Sequence, residues 1–476
     1  MLMVDHKTTL CENLPYWEFF SEPFSHAVLA DGSLAATLEV VPLDIDCFDE
    51  NRINQLTVGL RSFANTLPEG FSAQIMVNQE SDFSELIEQH RALRSSELEF
   101  LNAVDSNRIG DLEKLCVQGR IFRSKIFFSL RSEPPAKPNF FSVNKTKSFA
   151  NDFGESYLER LQALGQAVRS AGSLLTSLGF ISSEISQESL IGNIYRHLNP
   201  KRSAVTQTPI LRNSCAIDPS SPREQLVFGD LVLDLDDFVL DQTRTRVLSL
   251  KTLPEVTYAG MMSGFLSLPF RYELVFSLNV PDQIKEMKSL EQRRRLAHSL
   301  AHSTSNRVSD LESESKLAQT TGLIREIIES GQKIFNCEMV LYLREENTAE
   351  GRKNLEARTK DTLARFKSLS GSEGLHETVA AWKIFKSQLP FAPVNQVRAK
   401  KLKTNNAVDF LPLYGSARGD QKPVALTETR LGSLYSIDPY SSRLSNFNQL
   451  CTGSSGSGKS FANNFLMLQQ IARGTK

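Results

Sequence analysis

The sequence predicts an α+β N-terminal region, made of one or two small sandwich-like subdomains with long helices, followed by the start of a P-loop α/β domain. Three observations carry that expectation. Residues 26–131 run through strand, strand, helix, strand, helix and strand periodicities, and a strand, helix, strand order returns over 246–280. Long helical patterns follow each run, at 155–178 and 283–335. Near the end, Gly453-Ser454-Ser455-Gly456-Ser457-Gly458-Lys459-Ser460 satisfies the phosphate-binding pattern G-x-x-x-x-G-K-[ST]. The expected segments are 1–200, an N-terminal α+β domain; 201–390, a second α+β subdomain with a long helical arm; 391–409, a linker; and 410–476, the beginning of the P-loop domain.

The elements follow in order. Tyr16, Trp17, Phe19, Phe20 and Phe24, punctuated by Pro15 and Pro23, suggest a short helix or extended arm whose aromatic face packs on its own domain, with a docking surface for a partner as the alternative. His26–Ala30 and Ser33–Val41 flank Asp31-Gly32, a hairpin signal. Ile53, Leu56, Leu60 and Phe63 mark a helix over 51–67; 71–77 is a strand, 84–107 one long polar helix, and 125–131 a strand closed by Pro134-Pro135. After a polar loop at 137–147, Leu158, Leu161, Leu164, Val168 and Leu175 give a helix over 155–178, and 190–198 a shorter one ended by Asn199-Pro200. Residues 201–223, rich in Ser, Thr, Pro and Asn, form a connector.

Leu231, Leu233 and Leu235 imply a strand with one apolar face inside the acid-rich stretch Asp230–Asp241. A calcium loop there would need a central glycine and a terminal glutamate, and both are missing. Strand, helix and strand are expected at 246–251, 256–266 and 271–280, then a helical hairpin or arm over 283–335 suited to subunit contacts. Within it, Arg293-Arg294-Arg295 fits a solvated helix face better than a DNA or lipid contact. His298 and His302 stand four apart, but Ser299 replaces the glutamate of H-E-x-x-H, which disfavours a zinc pair. A strand at 337–344 and helices at 349–369 and 377–388 lead to Pro390 and Pro393 and to a basic, exposed tract at 398–403. Strands at 424–427 and 434–437 precede the glycine-rich loop.

Composition narrows the class. With 40% hydrophobic and 23% charged residues, 476 residues make an ordinary globular chain of about two to four domains. A net charge of −1 argues against a dominant nucleic-acid surface. Cys11, Cys47, Cys116, Cys215, Cys337 and Cys451 are scattered without a C-x-x-C pair, which suggests free thiols in a reducing compartment. The first seven residues lack a signal-peptide core. Tyr258–Phe270, the most apolar window, is shorter than the roughly 20 residues of a membrane span and holds Pro269. A cytoplasmic chain that meets a membrane only through a partner is expected.

The loop motif makes specific chemical demands. Glycines and small residues let consecutive N–H groups point inward as an anion nest. Lys459 would reach the β- and γ-phosphates, and the Ser460 hydroxyl would join a Mg²⁺ shell. Phe447–Thr452 is expected as a strand feeding the loop, and Phe461–Ala472 as a helix with Phe461, Phe465, Leu468 and Ala472 on one face and Gly474 as its stop. A chance Gly/Ser-rich turn is the competing reading, and the flanking strand and helix patterns disfavour it. Only 16 residues follow Ser460, too few for the further parallel strands such a domain needs, so a truncated domain is expected.

Three stretches stand out: Leu14-Pro15-Tyr16 with the hairpin near Asp31-Gly32 and Leu38-Glu39-Val40-Val41-Pro42; Leu411-Pro412-Leu413-Tyr414-Gly415 with Arg430-Leu431-Gly432 and Ile437-Asp438-Pro439-Tyr440; and Asn446-Phe447-Asn448 before the Gly453–Ser460 loop. They resemble the motor ATPases of type IV secretion and conjugation of the TraC kind, a VirB-type secretion ATPase family with DotO as a relative. The resemblance implies a RecA-like ATPase subunit that binds ATP and Mg at a Walker A loop, here Gly453 to Ser460 with Phe461 adjoining, with Lys459 as its catalytic residue and Ser460 on the metal. It implies self-assembly as a hexamer or as dimers of subunits. It also implies docking through residues 1–390 on the inner face of the inner membrane, with membrane components and other ATPases of the machine as partners, and ATP turnover that energises pilus assembly and substrate export. The family's acidic Mg²⁺ motif has no counterpart up to Lys476, so the chain alone is expected to be inactive. Nucleic acid is possible as cargo but is not indicated by charge. The competing functions are a DNA-translocating motor of the FtsK/HerA type, which strong salt-dependent DNA binding would reveal, and a nucleotide-binding scaffold without turnover.

Overall fold

The computed structural model describes residues 10–134, 146–212, 221–302, 311–392 and 396–474, with the side chains of 146–155, 302 and 311–313 outside that description. The expectations for the first residues, for most of the 137–147 loop, and for Cys215, His302 and Pro393 therefore lie outside the described residues.

Two series of elements follow one another. The first is β1 (Tyr16–Phe20), β2 (His26–Leu29), β3 (Leu34–Val41), α1 (Glu50–Thr66), β4 (Ser72–Glu80), α2 (Ser84–Ala92), α3 (Glu99–Val117), β5 (Arg123–Arg131), α4 (Thr146–Ser177), β6 (Ile181–Glu184) and α5 (Gln187–Leu198). The second is β7 (Leu231–Leu233), β8 (Phe238–Leu240), β9 (Thr243–Thr252), α6 (Met261–Leu266), β10 (Tyr272–Asn279), α7 (Gln283–His302), α8 (Leu311–Ser330), β11 (Ile334–Glu346), α9 (Ala349–Ser368), β12 (Glu373–Glu377) and α10 (Ala381–Ser387). Element for element, the second repeats the first. Then come β13 (Lys400–Lys403), α11 (Thr404–Asp409), β14 (Ala425–Glu428), β15 (Leu434–Ile437) and α12 (Lys459–Ala472).

Both series share one mixed α/β body built on a 13-stranded sheet ordered β1-β2-β3-β5-β4-β10-β11-β9-β8-β7, with β6 added to β3, β12 to β9 and β13 to β11. Its pairings are antiparallel. The series meet at β4 and β10, which pair from Ser72↔Asn279 to Tyr272↔Gln79. Outward from that seam the strand order is the same on either side, so the sheet is an edge-to-edge duplication. The expected strand, helix, strand repeat is thus present, and one sheet passes through both 1–200 and 201–390.

Helices cover both faces of the sheet. On one, Leu60 and Phe63 of α1, Leu164 and Leu175 of α4, Phe265 of α6 and Phe366 of α9 pack over Ile75, Phe128, Leu274 and Leu341. On the other, Ile194 and Tyr195 of α5 and Ile384 and Phe385 of α10 pack over Met76, Phe127, Val275 and Tyr342. The central strands allow this because their alternate residues are also apolar or small, so neither face needs water. Gln74, one polar exception, is fully buried and satisfied: its amide donates to the carbonyls of Gln388 and Leu389 at 3.3 and 3.1 Å and accepts from Phe391 N–H at 2.8 Å.

Several local expectations are corrected. Of the two forms expected for the aromatic segment at 16–20, the helix is excluded and the extended one holds, as a strand with Tyr16 buried and its hydroxyl donating to the Pro390 carbonyl at 2.6 Å. The long helix at 84–107 is two helices: α2 ends at Ala92, and ahead of α3 the Ser96 hydroxyl accepts from Leu98 N–H and its carbonyl from the Asn102 side chain. The helix at 256–266 starts only at Met261, since Gly260 at φ 75° sits in the left-handed region. The strand through Leu235 turns after Leu233, leaving Leu235 exposed, and Arg244 gathers Asp234 and Asp237. Glu377 ends a strand and not a helix, because its carboxylate is drawn inside to pair bidentately with Arg398 at 2.7 Å. Of the tract expected to be exposed at 398–403, Arg398, Ala399 and Lys401 are exposed, but 400–403 are β13 on β11; Leu402 is buried, Lys403 pairs with Glu326 at 2.6 Å and Lys401 with Glu286.

Other readings hold. The Asp31-Gly32 hairpin forms, α7 and α8 pack as a hairpin, and Arg293 and Arg295 are exposed on α7. Cys47, Cys116, Cys337 and Cys451 are free thiols, as expected.

Candidate phosphate-binding loop

Residues 411–437 lead to the loop while lying against the first series. Leu43 N–H donates to the Leu413 carbonyl at 3.0 Å, Gly415 N–H to the Leu43 carbonyl at 3.2 Å, and Phe122 N–H to the Gly432 carbonyl at 2.7 Å. The two expected strands form as an antiparallel hairpin, β14–β15, and Leu426 and Leu434 join Phe83, Ile87, Ile109 and Ile121 in a small apolar cluster with α2 and α3.

The loop opens the helix as its sequence demands. Gly456 and Gly458 lie in the left-handed region at φ 79° and 84°, which an L side chain adopts only with strain. Gly458 is the N-cap of α12 and supplies no side-chain cap, so the first-turn amides of α12 are left for an outside acceptor. Lys459 folds back over the loop: its ammonium donates to the carbonyls of Gly453 and Ser454, both at 2.6 Å. A Cβ on Gly453 would stand 2.7 Å from Ser457 Oγ, so that hydroxyl would have to turn away. Gly453, Ser454, Ser455, Gly456, Ser457, Gly458 and Ser460 are exposed, with Lys459 half-buried.

Chemically this sets one cation beside the uncapped amides of a helix N-terminus, donors of the kind a polyanionic phosphate takes. Ser460, on the first turn, offers a single hydroxyl to a cation.

Two expectations about the surroundings are corrected. Residues 447–452 are not a strand: none of the described residues pairs with them, and Leu450 is 88% exposed. A strand that feeds such a loop is held by parallel neighbours, so local propensity alone does not form it. The inward face of α12 also differs. Phe461 is 79% exposed, and the buried positions are Gln469 and Ala472. The helix ends at Gly474 as expected, with φ 77°.

The burial of Gln469 leads to residues that sequence reading missed. α12 packs on α3 and β14, and its last turn enters a charged cluster. Arg473 donates to Asp105 at 3.2 Å and to His90 Nε2, while His90 Nδ1 lies 2.7 Å from the Pro423 carbonyl. Arg94 grips the other Asp105 oxygen at 3.1 and 2.8 Å. Arg108 donates to Gln469 Oε1 at 3.0 Å and to the Leu426 carbonyl, and its guanidinium covers the Phe465 ring. Ser95 and Ser96 N–H cap the Ala472 carbonyl at 3.1 and 3.2 Å.

Burial, reinforced by Arg473 and Arg108, pushes His90 down to about 4, so it is neutral near pH 7 and its Nε2 accepts. Burial opposes the charge on Asp105, but Arg94 and Arg473 hold its carboxyl below the usual range. Burial also lowers Arg108 to about 10. Nothing in the spacing of these residues, 383 positions apart at the extremes, marks them in the sequence.

Compared with known families, residues 12–392 match a family model described as TraC protein. The matched span ends before the loop. No curated protein matches the chain.

Proposed function

The chain belongs to the TraC family and is a component of a type IV secretion or conjugation system, and on that premise we propose that it is an ATPase subunit binding Mg·ATP at Gly453–Ser460 to energise pilus assembly and substrate export. The observation that carries the reading is the Lys459 ammonium resting on the Gly453 and Ser454 carbonyls at an uncapped helix N-terminus. A cation held by two loop carbonyls, beside unpaired amides, is poised for a better anion than either carbonyl.

The residues fit the group. The amides of 455–460 would hold the phosphate oxygens, Lys459 would exchange its two carbonyls for the β- and γ-phosphates, and the Ser460 hydroxyl would hold the Mg²⁺. Bound Mg²⁺ supplies charge neutralisation at the phosphates. Lys459 then stabilises charge as it spreads over the transferred phosphoryl group, and α12 directs its positive end at the same point.

Membership of such a system implies contact with other components of the machine. In this reading residues 1–390 do the docking, subunits self-assemble as a hexamer or as dimers, and the chain sits at the inner face of the inner membrane through its partners. No helix among the described residues is long and apolar enough to cross a membrane.

The test is the Kd for Mg·ATP of the chain beside Lys459→Ala. The expected result is a loss of about ten- to hundred-fold, the weight of a charged hydrogen-bonded group. Equal affinity in the two proteins sinks the reading. Turnover, measured with and without DNA, then separates a secretion motor from a DNA pump or a scaffold.

A further inference from the structure

α12 is held differently at its two ends. Its N-terminus carries the exposed loop, whereas Arg473, just past its C-terminus, has a side chain only 2% exposed against Asp105, also 2% exposed. Three guanidiniums (Arg94, Arg108 and Arg473), one carboxylate (Asp105) and the fully buried His90 fill that joint. A buried charged network of this kind is weak evidence for stability but defines orientation, because each fork admits few geometries.

The joint also belongs to a unit apart from the sheet. The α2–α3 pair shares its apolar cluster with Leu426 and Leu434 of β14–β15, and that cluster is separate from the two on the sheet faces. The equivalent pair of the second series, α7–α8, carries no such module among the described residues; Leu296, Leu300 and Ile328 on it are exposed. α2–α3, β14–β15 and α12 are therefore one packed body set on the larger one.

We propose that Arg473, Asp105 and His90 are positioning residues that couple α2–α3 to the phosphate-binding loop through α12. A shift of α2–α3 against the sheet swings the loop at the far end of the same helix. Fourteen residues make a rod of about 21 Å, so a tilt of about 10° moves the loop by about 4 Å. Misplacement of that size is large against the tolerance of phosphoryl transfer. The input side of this regulation is the first series and the output is phosphate affinity; the inference rests on the nucleotide reading of the loop.

The test uses the whole chain with Arg473→Ala, and with Arg473→Lys, which keeps the charge and loses the fork. Two readouts are taken: backbone hydrogen exchange along 459–472, and the Kd for Mg·ATP. The expected result for Arg473→Ala is faster exchange through the first turn of α12 and a Kd about ten-fold weaker, with Arg473→Lys between it and the wild type. Exchange that rises only at 469–474, or an unchanged Kd in a protein whose Lys459→Ala variant loses binding, overturns the coupling. If the wild type binds no Mg·ATP, the nucleotide reading fails on its own, and the spread of exchange along α12 still decides whether the joint positions the helix. Should Arg473→Ala fail to fold, Arg473→Lys decides by the same two readouts.

Discussion

Arg473 and Asp105, 368 residues apart, meet with Nη2 3.2 Å from Oδ1, both side chains almost wholly out of water. The carboxylate has a second guanidinium, Arg94, on its other oxygen at 2.8 Å. One acid thus holds two arginines from different parts of the chain, and its removal leaves both without their counter-ion.

Asp105→Ala should therefore cost about 3–5 kcal/mol in the body formed by α2–α3 and α12, the range for breaking one partner out of a buried ion pair. Asp105→Asn, which keeps the shape and one acceptor oxygen, should cost less. Urea denaturation of the three proteins checks this, and a loss below about 1 kcal/mol for the alanine variant would mean that water reaches the arginines.

Acid should loosen the same joint. His90 faces Arg473, Arg108 and Asp105, with the Pro423 carbonyl on its other nitrogen. Its folded pKa of about 4 lies below the ordinary 6.5, so the unfolded state takes up the proton first as pH falls. The stability from neutral His90 is complete above pH 6.5 and is lost as pH falls through about 4. Asp105, held below the usual carboxylate range, stays ionised over most of that window. His90→Asn should flatten this part of a pH–stability profile, and a profile unchanged by the substitution would place the titration elsewhere.

Phe385 tests the second face of the sheet. It is fully buried and its ring meets His197 at 4.9 Å, Phe238 at 4.9 Å, Tyr342 at 5.4 Å and Trp382 at 5.5 Å. Phe385→Ala should cost about 3–5 kcal/mol, since neighbours this tightly interlocked collapse only in part. A calorimetric or urea measurement showing under about 1 kcal/mol would indicate that α10 does not seal that face.

Gly458→Ala forces an L residue to φ 84° at the start of α12. The strain of about 1–2 kcal/mol falls on the exposed loop, so the melting temperature of the sheet should hold while Mg·ATP affinity drops. A drop in melting temperature with unaltered affinity would contradict the loop's part in binding.

Much of the local structure was legible because local rules govern it. The Asp31-Gly32 turn, the helices at 50–66 and 349–368 and the stop at Gly474 follow from spacing and turn chemistry within a few residues. The loop was found the same way, since Gly456, Gly458 and Lys459 act through backbone angles and reach that a short motif records. Expectations failed where a distant partner decides. Glu377 is a strand residue because Arg398 meets it, and the basic 400–403 tract is a strand because β11 offers it an edge.

By itself, then, the sequence determined which segments are helix or strand over most of the chain, that a strand, helix, strand order recurs, and where the glycine-rich loop opens its helix. Only the tertiary structure decided that the two series join at β4 and β10, that both faces of the sheet are covered, and that the last turn of α12 is locked to α2–α3 by Asp105, His90 and Arg473. The reason is physical. Periodicity and turns are settled by neighbours a few bonds away, whereas strand pairing and buried charge depend on which surfaces meet. An aspartate on a solvated helix face and one clasped by two arginines are written with the same letter.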